Sequence, residues 1–550
     1  MPKISSILPG LATSMLIAGC RLADSATAPV GTGTADHRLL VGWGQEEISI
    51  HEPVTMVGYG DFRMSYGVQD PLFATALALD DGEDAVIFVS LDLLNPNHGL
   101  TDAILAAMTE LAPEIPKDKL LLNATHTHSS IGTYGDMTGI PEELGVVPPE
   151  EARRRIARQV VAAVRKAWQN RTPGGIAWGY GLAVSSSNRR MVYFDDLHQR
   201  SDDHWAKPEW RPFAGHAEIH GVTADDQFSH YETGTDNYIN FLYTFDDADR
   251  LTGAIVNLAC TAQLSSGPQR KLTSDLWHDV RAKIAEKHPG VFILPQCSGA
   301  GDLMPYGGHY LEAEKRRLKL KYGDRLADFA RACDWPDTTD ANREFLAYRK
   351  AMRLDIAERV AATFDETLAW AGNDIRHEAV IRNRLIPLEL TPLAISDAEL
   401  DQATAKLKKY EATPSKTDGP LQERAAANYR IANGKRAMQD FIERACDQRA
   451  GKKFPTEIRV VRIGDIAFAG NGFELFMDYM HRIQARSPFS QTFVVELSGV
   501  SGNFWGGYLP TARAVPNRGY SATVWQCPVG PEGGQELVEA TLKNLKELHP

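Results

Sequence analysis

The chain of 550 residues lacks several things that would define a class at once. No run of about 18 consecutive apolar residues occurs, so no membrane-spanning helix is expected. No excess of positive charge is present: 59 Lys and Arg stand against 71 Asp and Glu, a formal net charge of −12. Such a surface would not neutralise phosphates, which argues against nucleic acid as a partner. Cysteine is scarce, and no pair has the C-x-x-C spacing of a zinc or redox motif. After Cys20 only Cys260, Cys297, Cys333, Cys446 and Cys527 remain; an odd number cannot pair fully within one chain, and we read them as mostly buried small apolar residues. No internal repeat of fixed period is found.

What is present begins at the N-terminus. MPKISSILPGLATSMLIAGC has the layout of a secretory signal, with basic Lys3, a short apolar stretch and small residues before Cys20. Ala18-Gly19-Cys20 resembles a bacterial lipobox, which implies a lipid anchor on Cys20 and an exported location in the bacterial cell envelope, the periplasm or outer membrane. Residues 21–37 are mostly small and polar, as suits a tether. The fold is sought in residues 38–550.

There the pattern predicts an α/β body. AVIFVSLDLL (85–94), a helix-like GLTDAILAAMTELAPEI (99–115) and KLLLNATHTH (119–128) fit one βαβ unit. PEEARRRIARQVVAAVRKAW (149–168) reads as a second amphipathic helix. LTGAIVNLAC (251–260), GVFILPQCS (290–298), IRVVRIGDIAFAG (458–470) and TFVVELSG (492–499) read as core strands. Between about 311 and 453 the chain becomes helical and charge-rich, an expected helical insertion whose charges read as solvated faces.

Polar residues that could do chemistry gather at the ends of these strands, where ligands collect in α/β sheets. His126 and His128 flank Thr127; on an extended segment both rings would address one side, although a polar loop with two incidental histidines reads the same. Asp302 lies in the Gly-rich CSGAGDLMPYGGH (297–309). Asp275 and His278 stand one turn apart in TSDLWHDVRAKI, where Asp275 also suits a helix cap. Glu474 follows a strand at the head of a predicted helix, and Trp505 and Tyr508 sit in SGNFWGGYLPT.

Taken in order, these pieces resemble the neutral/alkaline ceramidase family. GWGQEEISIHEPVTMVGYG (42–60), IFVSLDLL, THTHS, NRRMVY (188–193), NLAC (257–260), the turn at Asp302, the Phe-Glu motif and GGYLPT carry the likeness, over roughly residues 38–311 and 455–545. The resemblance implies a mixed-sheet α/β catalytic domain elaborated by the helical insertion, and we expect the family's C-terminal immunoglobulin-like domain to be missing. It implies zinc, with His126, Glu474 and Tyr508 as ligands, His128 beside the metal, Arg189 holding polar groups of the substrate, and Asp275 at an active-site position. Two positions depart from the family: Thr261 stands where a second ligand His is expected, and Met304 where a Ser is expected. His278, on the helix that starts beside Asp275, is the expected fourth ligand.

The activity implied is hydrolysis of an N-acyl amide bond by a zinc-activated water. His128, Asp275 or Asp302 would relay the proton, and Arg189 and Tyr508 would hydrogen-bond the developing oxyanion. Because of Thr261 and Met304 two other readings stay open. One is a metal-dependent hydrolase of a glycan or glycoconjugate, favoured by WAKPEW (205–210), Trp277 and Trp505; the other is a surface lipoprotein that binds a small-molecule, lipid or glycoconjugate ligand without catalysis.

Overall fold

A computed structural model describes residues 37–201, 213–501 and 506–550. The lipobox Cys20, the tether, the WAKPEW stretch and Trp505 lie outside the described residues. Residues His37–Pro550 form one compact unit.

The central sheet has eight strands, in spatial order Phe292–Cys297, Leu251–Leu258, Tyr238–Asp246, Thr172–Leu182, Leu40–Glu47, Phe73–Asp80, Ala85–Leu91 and Leu120–Ala124. Its middle is antiparallel, and each end closes with a parallel pair, 251–258 with 292–297 and 85–91 with 120–124. Parallel neighbours need a crossover, here the helices Leu276–Ala285 and His98–Leu111. The two edge strands approach each other, because Asn123 Nδ2 donates to the Pro295 carbonyl at 3.1 Å. The carboxyl ends of both parallel pairs therefore open into one place.

A second, four-stranded sheet of Ile381–Leu390, Phe454–Ile463, Ile466–Asn471 and Gln491–Val495 packs on the first. Their shared core alternates in from both sides, with Val41, Trp43, Leu79, Phe88 and Ile255 meeting Ile381, Val461, Phe468 and Phe493. Helices cover the outer faces. Pro149–Gln169 crosses the 40–47 strand where Gly42 and Gly44 remove the side chain; a Cβ at either would lie 2.1 Å from a helix carbonyl, of Ala167 or Ala163. Asp340–Ala371 lies along the 172–182 strand, and Met477–Arg486 and Pro531–Leu548 back the second sheet. The α/β class with mixed sheets agrees with expectation.

Two expectations need correction. The segment 311–453 is not helical throughout: Ile381–Leu390 is a strand paired along its length with Phe454–Ile463, and it splits the helices into two groups. Its alternating Arg382, Arg384, Pro387 and Glu389 hide a half-exposed edge strand from a search for apolar runs. The run 458–470 is two strands, turned at Gly464, whose φ of 56° lies in the left-handed region.

Candidate functional site

The 120–124 strand is wholly buried, and the chain leaving it turns rather than continuing extended. His126 has φ 59°, a conformation that is uncommon and strained for a residue with a β-carbon. Its ring lies 4.8 Å from that of His128, edge to face at 80°, so the two imidazoles share one site as expected, through a left-handed step instead of a strand. His126 Nδ1 lies 2.9 Å from the Leu94 carbonyl, which can only accept. The proton is thus on Nδ1, and the Nε2 lone pair points 3.5 Å from Glu474 Oε2. Burial holds His126 below the usual histidine range, Glu474 and the Leu94 carbonyl oppose that shift, and Arg189 acts in the same direction as burial. His128 is held well below the usual histidine range by burial first, then by His126, Arg189 and Arg63. Its Nε2 is buried without a hydrogen-bond partner. Gly58 is required beside it: a Cβ there would sit 2.7 Å from the ring.

Glu474 and Tyr508 are brought together by backbone. Glu474–Leu475 and Tyr508–Leu509 form a two-residue parallel ladder in which Glu474 pairs with Tyr508. Glu474 Oε2 is buried and has no hydrogen-bond partner. Burial pushes the Tyr508 phenol well above its ordinary value, so it is a neutral hydroxyl. Arg189 completes the group: its Nη2 donates to Tyr508 Oη at 3.1 Å and to the Gly301 carbonyl at 2.8 Å, and stands 3.9 Å from Glu474. Five residues distant in sequence, His126, His128, Arg189, Glu474 and Tyr508, thus meet with all side chains buried.

The other expected residues lie elsewhere. His278, the expected fourth ligand, pairs with Asp70 at 3.5 Å, and its electrostatic neighbours are Asp70, Asp279, Lys350 and Arg353. Asp275 caps the 276–285 helix, and its two oxygens accept from the backbone N–H groups of Leu276 and Ser265. Asp302 accepts from Met477 N at 2.9 Å, from Thr233 at 2.9 Å and from Asn188 at 3.3 Å. It anchors the head of the 477–486 helix. With their oxygens so engaged, Asp275 and Asp302 hold segments in place rather than face the two histidines. Thr261 bonds Gln263, whose amide stands 3.5 Å from His128 Nδ1; Met304 is a buried core residue paired opposite Ser187. Trp277 is fully buried in the core, which removes it from any sugar-binding surface.

Glu496 escaped the sequence reading. Its Oε2 accepts from Leu475 N at 2.8 Å and Ala300 N at 3.1 Å, and Cys297 Sγ donates to its Oε1 at 3.1 Å. It ties the residue after Glu474 to the turn that carries Gly301. A carboxylate inside a strand reads as nothing special, and only the buried VVEL context could have raised the question. Arg63 escaped too: its Nη2 donates to the carbonyls of Val57 at 2.6 Å and His128 at 2.8 Å.

Whether a cation fits can be judged from the donors. Among the described residues no group of three or more His, Cys, Asp and Glu is arranged to hold a metal ion. The family set is different in kind, one imidazole, one carboxylate and one phenol, and here those three are adjacent. His126 presents a bare Nε2 whose opposite nitrogen is fixed by a carbonyl, the usual arrangement behind a metal-bound histidine. Glu474 Oε2 is a buried acceptor without a donor, a costly state that a cation would relieve, and His128 Nε2 beside it is a buried nitrogen without a partner.

Residues 39–202 match the family model described as neutral/alkaline non-lysosomal ceramidase, N-terminal. Among solved structures the chain is similar to the neutral ceramidase from Pseudomonas aeruginosa, with a TM-score of 0.60 and 16% identity over 93% of this chain and 75% of that one. It is also similar to a ceramidase complexed with C2, with a TM-score of 0.57 and 15% identity over 94% and 76% of the two chains. At those identities the structural likeness is one of fold. The family match thus lies in the N-terminal part of the chain, and the fold of these two ceramidases is shared along the rest of it.

Proposed function

We propose that the chain is a hydrolase that cleaves an N-acyl amide bond of the kind found in ceramide. The observation that carries this reading is the buried cluster of His126, His128, Arg189, Glu474 and Tyr508, in a chain whose N-terminal part matches this family's model. In this reading His126, Glu474 and Tyr508 hold zinc. Such an ion supplies Lewis acidity toward an amide carbonyl and lowers the pKa of water to near neutrality.

The chain's own residues do the rest. His128, kept neutral by burial and nearby cations, offers a free Nε2 that can accept a proton and return it to the leaving amine. Arg189, fixed by the Gly301 carbonyl, holds a positive charge where negative charge develops on the substrate oxygen. Burial of all five side chains keeps them from bulk water, so each charge acts at low dielectric.

The test is the metal content of purified protein together with release of fatty acid from ceramide. About one zinc per chain is expected, lost along with activity in His126→Ala and Glu474→Ala. Protein that hydrolyses ceramide with no metal would sink the zinc role. Protein with neither metal nor activity would favour the reading in which Thr261 marks a site that binds without catalysis.

We also propose that the protein is exported and held in the cell envelope by lipid on Cys20, which rests on the order of residues 1–20. Cys20→Ala should move it from the membrane fraction to the soluble one; unchanged membrane retention would count against the anchor.

A further inference from the structure

Two arginines beside the site, Arg63 and Arg349, have no ion-pair partner among the described residues. Arg63 is buried, yet its Nε and Nη1 have no hydrogen-bond partner and its guanidinium meets no carboxylate within ion-pairing distance among the described residues. Its remaining nitrogen is fixed on the Val57 and His128 carbonyls, and its guanidinium lies 4.5 Å over the ring of Tyr59. That ring in turn meets His128 edge-on at 5.7 Å. Arg349 lies 3.9 Å over the ring of Tyr306, which stacks with His220 at 6.5 Å, and it too has no ion pair among the described residues. Tyr59 is within the electrostatic reach of both Arg63 and Arg349, and His220 within that of Arg189 and Arg349.

The acids nearby do not offset this. Glu474 faces Arg189, and exposed Asp61, beside Arg63, pairs with Arg430 at 3.5 Å. Positive charge therefore accumulates beside the two histidines in a protein whose formal net charge is −12. Arg63 is buried and Arg349 half-buried, and a buried cation without a partner is costly, a cost that an anionic ligand would relieve. Aromatic faces beneath both guanidiniums hold them in place without cancelling their charge.

We propose that the substrate of this site is an anionic N-acyl amide, with a phosphate, sulfate or carboxylate on its polar part that docks against Arg63 and Arg349. The proposal rests on the amide-hydrolase reading and narrows it, since an uncharged ceramide leaves both arginines uncompensated. A guanidinium binds a phosphate or carboxylate by charge-assisted hydrogen bonds, about twice as strong as neutral ones.

The test compares a short-chain ceramide with the same molecule phosphorylated on its primary hydroxyl, and with an N-acyl amino acid of the same acyl chain. Wild-type kcat/KM should favour one of the anionic amides by about ten-fold or more, and the preference should fall toward unity in Arg63→Gln and in Arg349→Gln. Arg349 makes fewer backbone contacts than Arg63, so its variant decides the matter should Arg63→Gln fail to fold. Equal or faster cleavage of the neutral ceramide overturns the proposal. A binding arm separates the two readings: calorimetry with dodecyl phosphate against dodecanol, on wild type and both variants. If no amide is cleaved but the phosphate binds more tightly and loses that advantage in the variants, the hydrolase reading falls and the anion site stands. If the phosphate binds no better than the alcohol, the anion site falls whatever the catalysis.

Discussion

Glu496 is enclosed completely and lies behind Glu474 rather than within the site. Burial raises its carboxyl to about 8, its hydrogen bonds from Cys297, Ala300 and Leu475 oppose that rise, and the charge of Glu474 adds to it. A carboxyl whose folded pKa lies above its unfolded value of 4.5 contributes stability that is complete below about pH 4.5 and is lost as pH rises toward about 8. Glu496→Gln stays neutral and keeps one acceptor oxygen. Relative to wild type it should therefore gain on the order of a few kcal/mol between pH 5 and pH 8, read from urea unfolding at the two pH values. A stability difference that does not change with pH would show that Glu496 does not titrate in this range. At this scale sequence reading identified five residues that do converge, because His, Glu, Tyr and Arg at strand ends carry obvious chemistry. It did not reveal Glu496 or Arg63, whose importance depends on being buried, a property that a single charged residue in a strand or loop does not advertise.

At the scale of elements, the two groups of helices in 311–449 do different work. The Asp340–Ala371 helix was read as carrying solvated charge, and most of its charge is; Arg353 is not. Its guanidinium is fully buried and binds Asp70 and Asp279, each at 2.8 Å, partners 283 and 74 positions away along the chain. Separations of that size leave no local pattern, so the burial could not be read from the helix alone. The Leu421–Arg449 helix instead grips the loop that follows the two histidines. Asn433 accepts from Asp136 N at 3.0 Å and donates to the Asp136 carbonyl at 3.1 Å, while Asn428 Nδ2 donates to the Gly139 carbonyl at 2.7 Å. Tyr429 packs on Phe62 at 5.6 Å, so the same helix supports the loop that presents Arg63. Asn433→Ala removes both bonds to Asp136, at a cost of about 1–2 kcal/mol confined to that loop. Hydrogen exchange should quicken across 134–139 with little change in the central strands, and unaltered exchange there would mean that Asn433 does not hold the loop.

For the whole molecule, the decisive event is the approach of the two edge strands of the large sheet at Asn123. It brings the carboxyl ends of two parallel pairs to one place, and the short ladder beyond the second sheet adds Glu474 and Tyr508 from the far end of the chain. The fold class was legible because apolar runs and turns of strand length alternate with amphipathic helices. The closure was not, because strand order is set by contacts between residues hundreds of positions apart. The left-handed turn at His126 has a further meaning here. Glycine is the residue that such a backbone favours, by about 1 kcal/mol over any side chain with a β-carbon. A glycine at 126 would ease the backbone and remove the imidazole, so the fold and the chemistry of the site make opposite demands on this one position.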